Sequence, residues 1–147
     1  MKKPTLALLT CLIIFSPSIA FGKDISGSVW RFNYDNDSAE QIILFEKDKT
    51  FTYQLVVSNS GNQGKVFSDE RNTWTVNGNL VVLSYNFGYA ILSLTINGSG
   101  DRMTGIFKNK KGTVCQVKGQ LEEEVIFENG IFHNRDDDNN NEDDIPF

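Results

Sequence analysis

Few residues in this 147-residue chain have the chemistry to act as nucleophile, base or metal ligand, and they stand far apart. His133 is the only histidine, and Cys11 and Cys115 are the only cysteines. Acid–base or thiol catalysis needs a base held beside a nucleophile, and zinc wants three or four Cys or His ligands, so neither chemistry has its parts here. Cys115 shares a strand face with Val117, which predicts a buried, inert thiol. Glycoside hydrolysis needs two carboxyl groups at a defined separation. Asp35, Asp37, Glu40, Asp69, Glu70 and Asp101 fall in loops or at strand ends. Carboxylates in such places are ordinarily solvated, and no enzyme and no cofactor are expected.

The acidic residues crowd instead toward the end of the sequence, where Asp136, Asp138, Asn140 and Glu142 have the alternate spacing of oxygen ligands in a calcium loop. Asn141 stands where such a loop needs its glycine, and no bidentate glutamate follows at the twelfth position. The stretch 135–147 holds six acids against Arg135 and nothing apolar before Ile145, so it is expected to be a solvated, disordered tail. Pro146 and the acids before it forbid the amphipathic last strand of an outer-membrane barrel. Asn36-Asp37-Ser38 and Asn97-Gly98-Ser99 fit the glycosylation pattern, which matters only in a eukaryotic secretory route.

At the other end, Met1 to Gly22 combines Lys2 and Lys3, the apolar run Leu6 to Phe15, and the small residues Ser18, Ala20 and Gly22. This predicts a secretory signal peptide over 1–22, cut after Ala20 or Gly22, with an apolar run too short to span a bilayer. A lipid anchor on Cys11 would want a polar linker after the cysteine, whereas Leu12 to Phe15 continue the apolar run. The mature chain is therefore expected to be secreted or periplasmic. It keeps one cysteine, so it has no internal disulfide, and its 12 basic and 19 acidic residues disfavour nucleic acid or anionic membrane as partner. The body, 23–134, is the size of one domain and carries only about −2 of the charge.

That body reads as short Val/Ile/Phe/Tyr-rich segments broken by Gly, Asn, Asp and Lys. Strands are expected at Val29 to Tyr34, Gln41 to Glu46, Thr50 to Val57, Lys65 to Val76, Asn79 to Tyr85, Tyr89 to Ile96, Asp101 to Phe107 and Thr113 to Leu121. The fourth is expected to bend near Asp69-Glu70-Arg71, and a last hairpin to pair Val125 to Phe127 with Ile131 to His133. Asn77-Gly78 predicts a type I′ turn with Val76 opposite Asn79 and Trp74 opposite Val81, which puts Trp74, Val81, Leu83 and Tyr85 on one face. No stretch of ten residues has helical period. Short connections between sequence neighbours predict an all-β, single-domain, antiparallel up-and-down β-barrel of about eight to ten strands, with a β-sandwich as the alternative.

A tryptophan early in the first strand after a glycine (Gly27-Ser28-Val29-Trp30), the Phe51 strand after a charged turn, the Trp74-to-Leu83 hairpin and Met103-Thr104-Gly105-Ile106-Phe107 together resemble small bacterial lipocalin-like (calycin) barrels. Two residues separate Gly27 from Trp30 where lipocalins have one, and the sequence shows no counterpart of the family's later arginine over that tryptophan beyond a weak match at Arg102. The resemblance implies a small apolar or amphipathic molecule held in the barrel mouth, with Trp30, Phe32, Phe51, Tyr53, Trp74, Leu83 and Tyr85 lining the cavity or plugging it. The rival expectation is a protein-binding module, such as an inhibitor or immunity protein of a secreted or cell-envelope enzyme, acting through the loops at Asp35 to Glu40 and Ser58 to Gly64.

Overall fold

The computed structural model describes residues 23–35, 39–58 and 61–135. The expected signal peptide, the Asn36-Asp37-Ser38 sequon and the acidic run from Asp136, with its calcium spacing, lie outside the described residues. Eight strands follow one another in order: β1 (Val29–Tyr34), β2 (Ala39–Phe45), β3 (Thr50–Ser58), β4 (Val66–Asn77), β5 (Leu80–Tyr85), β6 (Ala90–Ile96), β7 (Arg102–Asn109) and β8 (Val114–Glu122). Each pairs antiparallel with the next, and β8 returns to β1 with Trp30 opposite Leu121 and Tyr34 opposite Val117, closing the barrel. Closure leaves these strands no free edge. The expected up-and-down barrel is thus the observed one, and the sandwich alternative is not formed.

Alternation fills the interior. Trp30, Phe32, Ile43, Phe45, Phe51, Trp74, Val81, Leu83, Leu92, Leu94, Met103 and Val117 are each less than 2% exposed. Phe32 finds its room at one place on β8. A Cβ on Gly119 would stand 2.3 Å from Phe32 Cε1, so the ring occupies the volume that any other residue at 119 would need. Across the outside of the same β1–β8 seam, Arg31 pairs with Glu122 of β8 and Glu40 of β2.

One turn differs from its expected register. Asn77 pairs with Leu80 and Trp74 with Leu83, so Gly78 and Asn79 form the two-residue loop in place of Asn77 and Gly78. Gly78 takes φ +59° and Asn79 stays at negative φ, the pattern of a type II′ turn, which needs its glycine first. The slip is two residues, one full side-chain period, so Trp74, Val81, Leu83 and Tyr85 still share the inner face.

The lower end, where the β2–β3, β4–β5 and β6–β7 turns lie, is strapped. Gly27 N donates to Phe45 O, Ile25 is buried in the core, and Lys23 Nζ reaches Ser99 O in the β6–β7 turn. Trp30 Nε1 donates to Ser28 Oγ beneath this strap. Arg102 is exposed, and the cation over a core tryptophan is Lys49, 3.8 Å from the Trp74 ring centroid.

The last hairpin, β9 (Val125–Glu128) and β10 (Ile131–Asn134), packs outside the barrel. Val125, Phe127 and Phe132 cover outward residues Val29, Ile42, Leu44 and Val56. This second core explains the unbroken apolar run Ile42-Ile43-Leu44-Phe45, since β2 is buried on both faces.

Gly119→Ala should lower stability by about 1–3 kcal/mol through overpacking against Phe32. A urea midpoint unchanged from that of the parent would show that the ring yields freely.

Candidate binding site

The upper end gathers the 35–38, 59–65, 86–89 and 110–113 connections. Two features set it apart from the aliphatic middle. The first is a polar knot among aromatics: Tyr34 and Tyr85 hydroxyls both donate to Gln41 Oε1, at 3.1 and 3.0 Å, and all three residues are buried. Burial raises the Tyr34 and Tyr85 pKa values well above the ordinary 10, and also raises that of Tyr53. Around the knot, Phe107 stands edge-on to both tyrosines, and Tyr85 is edge-on to Phe51 and Tyr53.

The second feature is an arch in β4. Thr50 pairs with Thr73, but Thr52 already pairs with Ser68, so Asp69 to Asn72 leave the β3 ladder. The expected bend at Asp69-Glu70-Arg71 is this arch. It is fastened on its other side, where Arg71 O accepts Phe87 N and Asn72 Oδ1 accepts Asn86 N. Arg71 Nε bonds both Asp69 oxygens at 2.8 Å and holds that carboxyl down to about 2.

Between the arch and β3 lies a half-open cavity of about 370 Å³. Tyr53, Val66 and Phe67 form its apolar wall, with Tyr53 and Phe67 stacked at 4.9 Å, and Ser68, Asp69, Arg71, Asn72 and Asn86 form the polar one. A volume near 400 Å³ with one aromatic wall and convergent polar groups suits a small amphipathic molecule.

The residues singled out from the sequence divide between two places. Tyr53 lines the cavity, and Phe51 and Tyr85 stand one ring behind it. Trp30, Phe32, Trp74 and Leu83 belong to the filled interior. Tyr34, Gln41, Phe67, Arg71, Asn72 and Asn86 were not anticipated as site residues. The signal for the arch was the charged run Asp69-Glu70-Arg71 inside a strand, which marks where pairing breaks. Cys115 is a free thiol facing inward and buried, with its pKa raised first by burial and then by Asp35. Among the carboxylates weighed for catalysis, Glu40 in β2 is held by Arg31, Asp69 in the β4 arch by Arg71, and Asp101 at the lower end by Asn97. Among the described residues no three His, Cys, Asp or Glu side chains group to hold a metal ion, and no helix is long and apolar enough to cross a membrane.

The fold and the cavity define the class, an all-β protein built as a closed eight-stranded up-and-down barrel. No protein-family model matches the chain, and no curated protein matches it by sequence. Among solved structures it is similar to a provisionally named beta-lactamase from Burkholderia vietnamiensis, at 13% identity over 69% of this chain and 96% of that one, with a TM-score of 0.49.

Because the folded tyrosines hold their protons above pH 10, their contribution to stability is full below the unfolded value near 10 and is lost as pH climbs through the folded values. Tyrosinate absorbance from Tyr34 and Tyr85 should therefore appear together with loss of near-ultraviolet circular dichroism. Free titration of both near pH 10 in the intact fold would contradict a dry polar knot.

Proposed function

We propose that this is an exported, lipocalin-like binding protein that holds a small apolar or amphipathic molecule at the upper end of the barrel. The supporting observation is the arch cavity, with Tyr53 and Phe67 stacked on one wall and Arg71, Asn72 and Asn86 on the other. The apolar wall takes a ring or short chain out of water, and the polar wall orients its head. Arg71 engages Asp69 at the rim, so an anionic head would compete with that carboxylate for the guanidinium. The strap at the lower end leaves ligand exchange to the upper end. The reading assigns the chain no chemical step, and it places the protein outside the cytoplasm on the strength of the leader sequence.

A second reading has its own observation. Phe87 is 74% exposed and adopts φ +56° between Asn86 at +46° and Gly88 at +83°. A bulky side chain in the left-handed region costs roughly 1–3 kcal/mol, and such strain concentrates at functional loops. As the anchor of a protein interface, Phe87 would serve an inhibitor or immunity function.

Two variants separate these readings. Tyr53→Ala and Phe67→Ala should each weaken binding of an amphipathic fluorescent probe, such as an anilinonaphthalene sulfonate, by about tenfold, while Phe87→Ala leaves it unchanged. Probe binding that ignores both cavity variants would sink the small-molecule reading. Native mass spectrometry of protein recovered gently from its host supplies the matching test. A constant extra mass of a few hundred daltons supports the carrier, and a second protein attached supports the interface.

A further inference from the structure

The outer face of β6–β8 carries one sign of charge. Alternation turns Ile91, Ser93 and Thr95 of β6, Arg102, Thr104, Ile106 and Lys108 of β7, and Val114, Gln116, Lys118 and Gln120 of β8 outward, with no acid among them. Exposed Lys110 and Lys111 extend it at the β7–β8 turn. None of these five cations forms an ion pair with a described residue. The bordering acids are, at the lower rim, Asp101, bonded to Asn97, Glu122, bonded to Arg31, and exposed Glu123 and Glu124 just past β8, and Asp35 at the upper edge. Exposed apolar residues lie at the upper corner: Ile106 is diagonal to Val114 across the β7–β8 ladder, and Tyr89 O accepts Lys110 N, which brings in the Phe87–Tyr89 turn. An acidic protein with a wholly basic, partly apolar face invites an acidic, partly apolar occupant.

The chain holds such a segment. Residues 136–147 contain Asp136, Asp137, Asp138, Glu142, Asp143 and Asp144, followed by Ile145 and Phe147. The described chain ends at Arg135, whose N donates to Glu124 O just beyond the lower end of β8, beside this face. Twelve extended residues span roughly 40 Å, more than the roughly 27 Å of eight-residue β7. The spacing matches as well. Asp136 and Glu142 begin two acidic blocks six residues apart, and Arg102 and Lys108 stand six residues apart along β7.

We infer that residues 136–147 dock along the outer face of β7–β8, the first acidic block toward Arg102 and Lys118, the second toward Lys108, Lys110 and Lys111. Ile145 and Phe147 then reach the apolar corner at Ile106, Val114 and Phe87. Covalent attachment gives the segment a high effective concentration, so exposed charge pairs that are individually weak act together. The attraction is screened by salt. This inference does not depend on what the cavity holds.

Zero-length carbodiimide cross-linking of the full chain, read by peptide mass spectrometry, tests it. Links from 136–144 should form within one molecule to Lys108, Lys110, Lys111 and Lys118, in preference to Lys23, Lys47, Lys49 and Lys65. Their yield should fall about tenfold in 0.5 M sodium chloride, and links to Lys110 should fall comparably in the Lys108→Gln/Lys111→Gln/Lys118→Gln variant. Links spread evenly over all lysines, links formed only between molecules, or yields indifferent to salt would overturn the docking. Phosphatidylglycerol vesicles supply the rival occupant. A chain ended at Arg135 should bind them more tightly than the full chain does, and equal binding would mean that the face is open to lipid and the segment does not cover it.

Discussion

Everything in this molecule hangs on the return of β8 to β1. Seven hairpin-type pairings would leave two bare edges, and only the eighth closes the sheet around its packed interior. That seam is fitted on both sides. Inside, the Phe32 ring lies in the space a side chain at 119 would take, so glycine on one strand and phenylalanine on the other are complementary. Outside, Arg31 spans three strands to carboxylates on either flank. Apolar volume thus sets how closely the strands approach, and charge on the half-exposed surface adds registry more than energy.

From the seam, the two ends are built differently. The lower one is aliphatic and indole, latched by hydrogen bonds of the strap and by the β2–β3 turn, in which Glu46 O accepts Trp74 Nε1 and Trp74 N donates to Lys49 O. The upper one is phenolic. Gln41 receives two hydroxyls that would otherwise be buried without acceptors, and a buried network of this kind is tolerated only when its members satisfy one another. The arch in β4 then converts polar backbone freed from the β3 ladder into the wall of a cavity, with Arg71 O and Asn72 Oδ1 satisfied by the next turn.

Strand order and the inner face were legible because both rest on period-two alternation and on turn residues, which are local. Even placing the loop at Asn77-Gly78 where the chain turns at Gly78-Asn79 left the inner set untouched, because a slip of two preserves the face. The position of the cavity was not legible in the same way. It depends on which side of a broken ladder Asn72 and Asn86 come to share, a contact between residues fourteen apart that no alternation encodes. The aromatic stripes looked alike in sequence, yet Trp30 and Trp74 are structural fill while Tyr53 reaches the cavity. What separates them is height along the barrel. The run Ile42-Ile43-Leu44-Phe45 did carry a message, that something must cover the outside of β2, and the β9–β10 hairpin answers it.

The strap has a directional consequence. Because Lys23 is pinned to Ser99 at the base, the described chain begins at the sealed pole, opposite the arch. A tether fixed to Lys23 would hold the barrel by its foot, at the pole opposite the arch. The molecule is thereby polar in the geometric sense, with the start of the described chain and the half-open cavity at opposite poles.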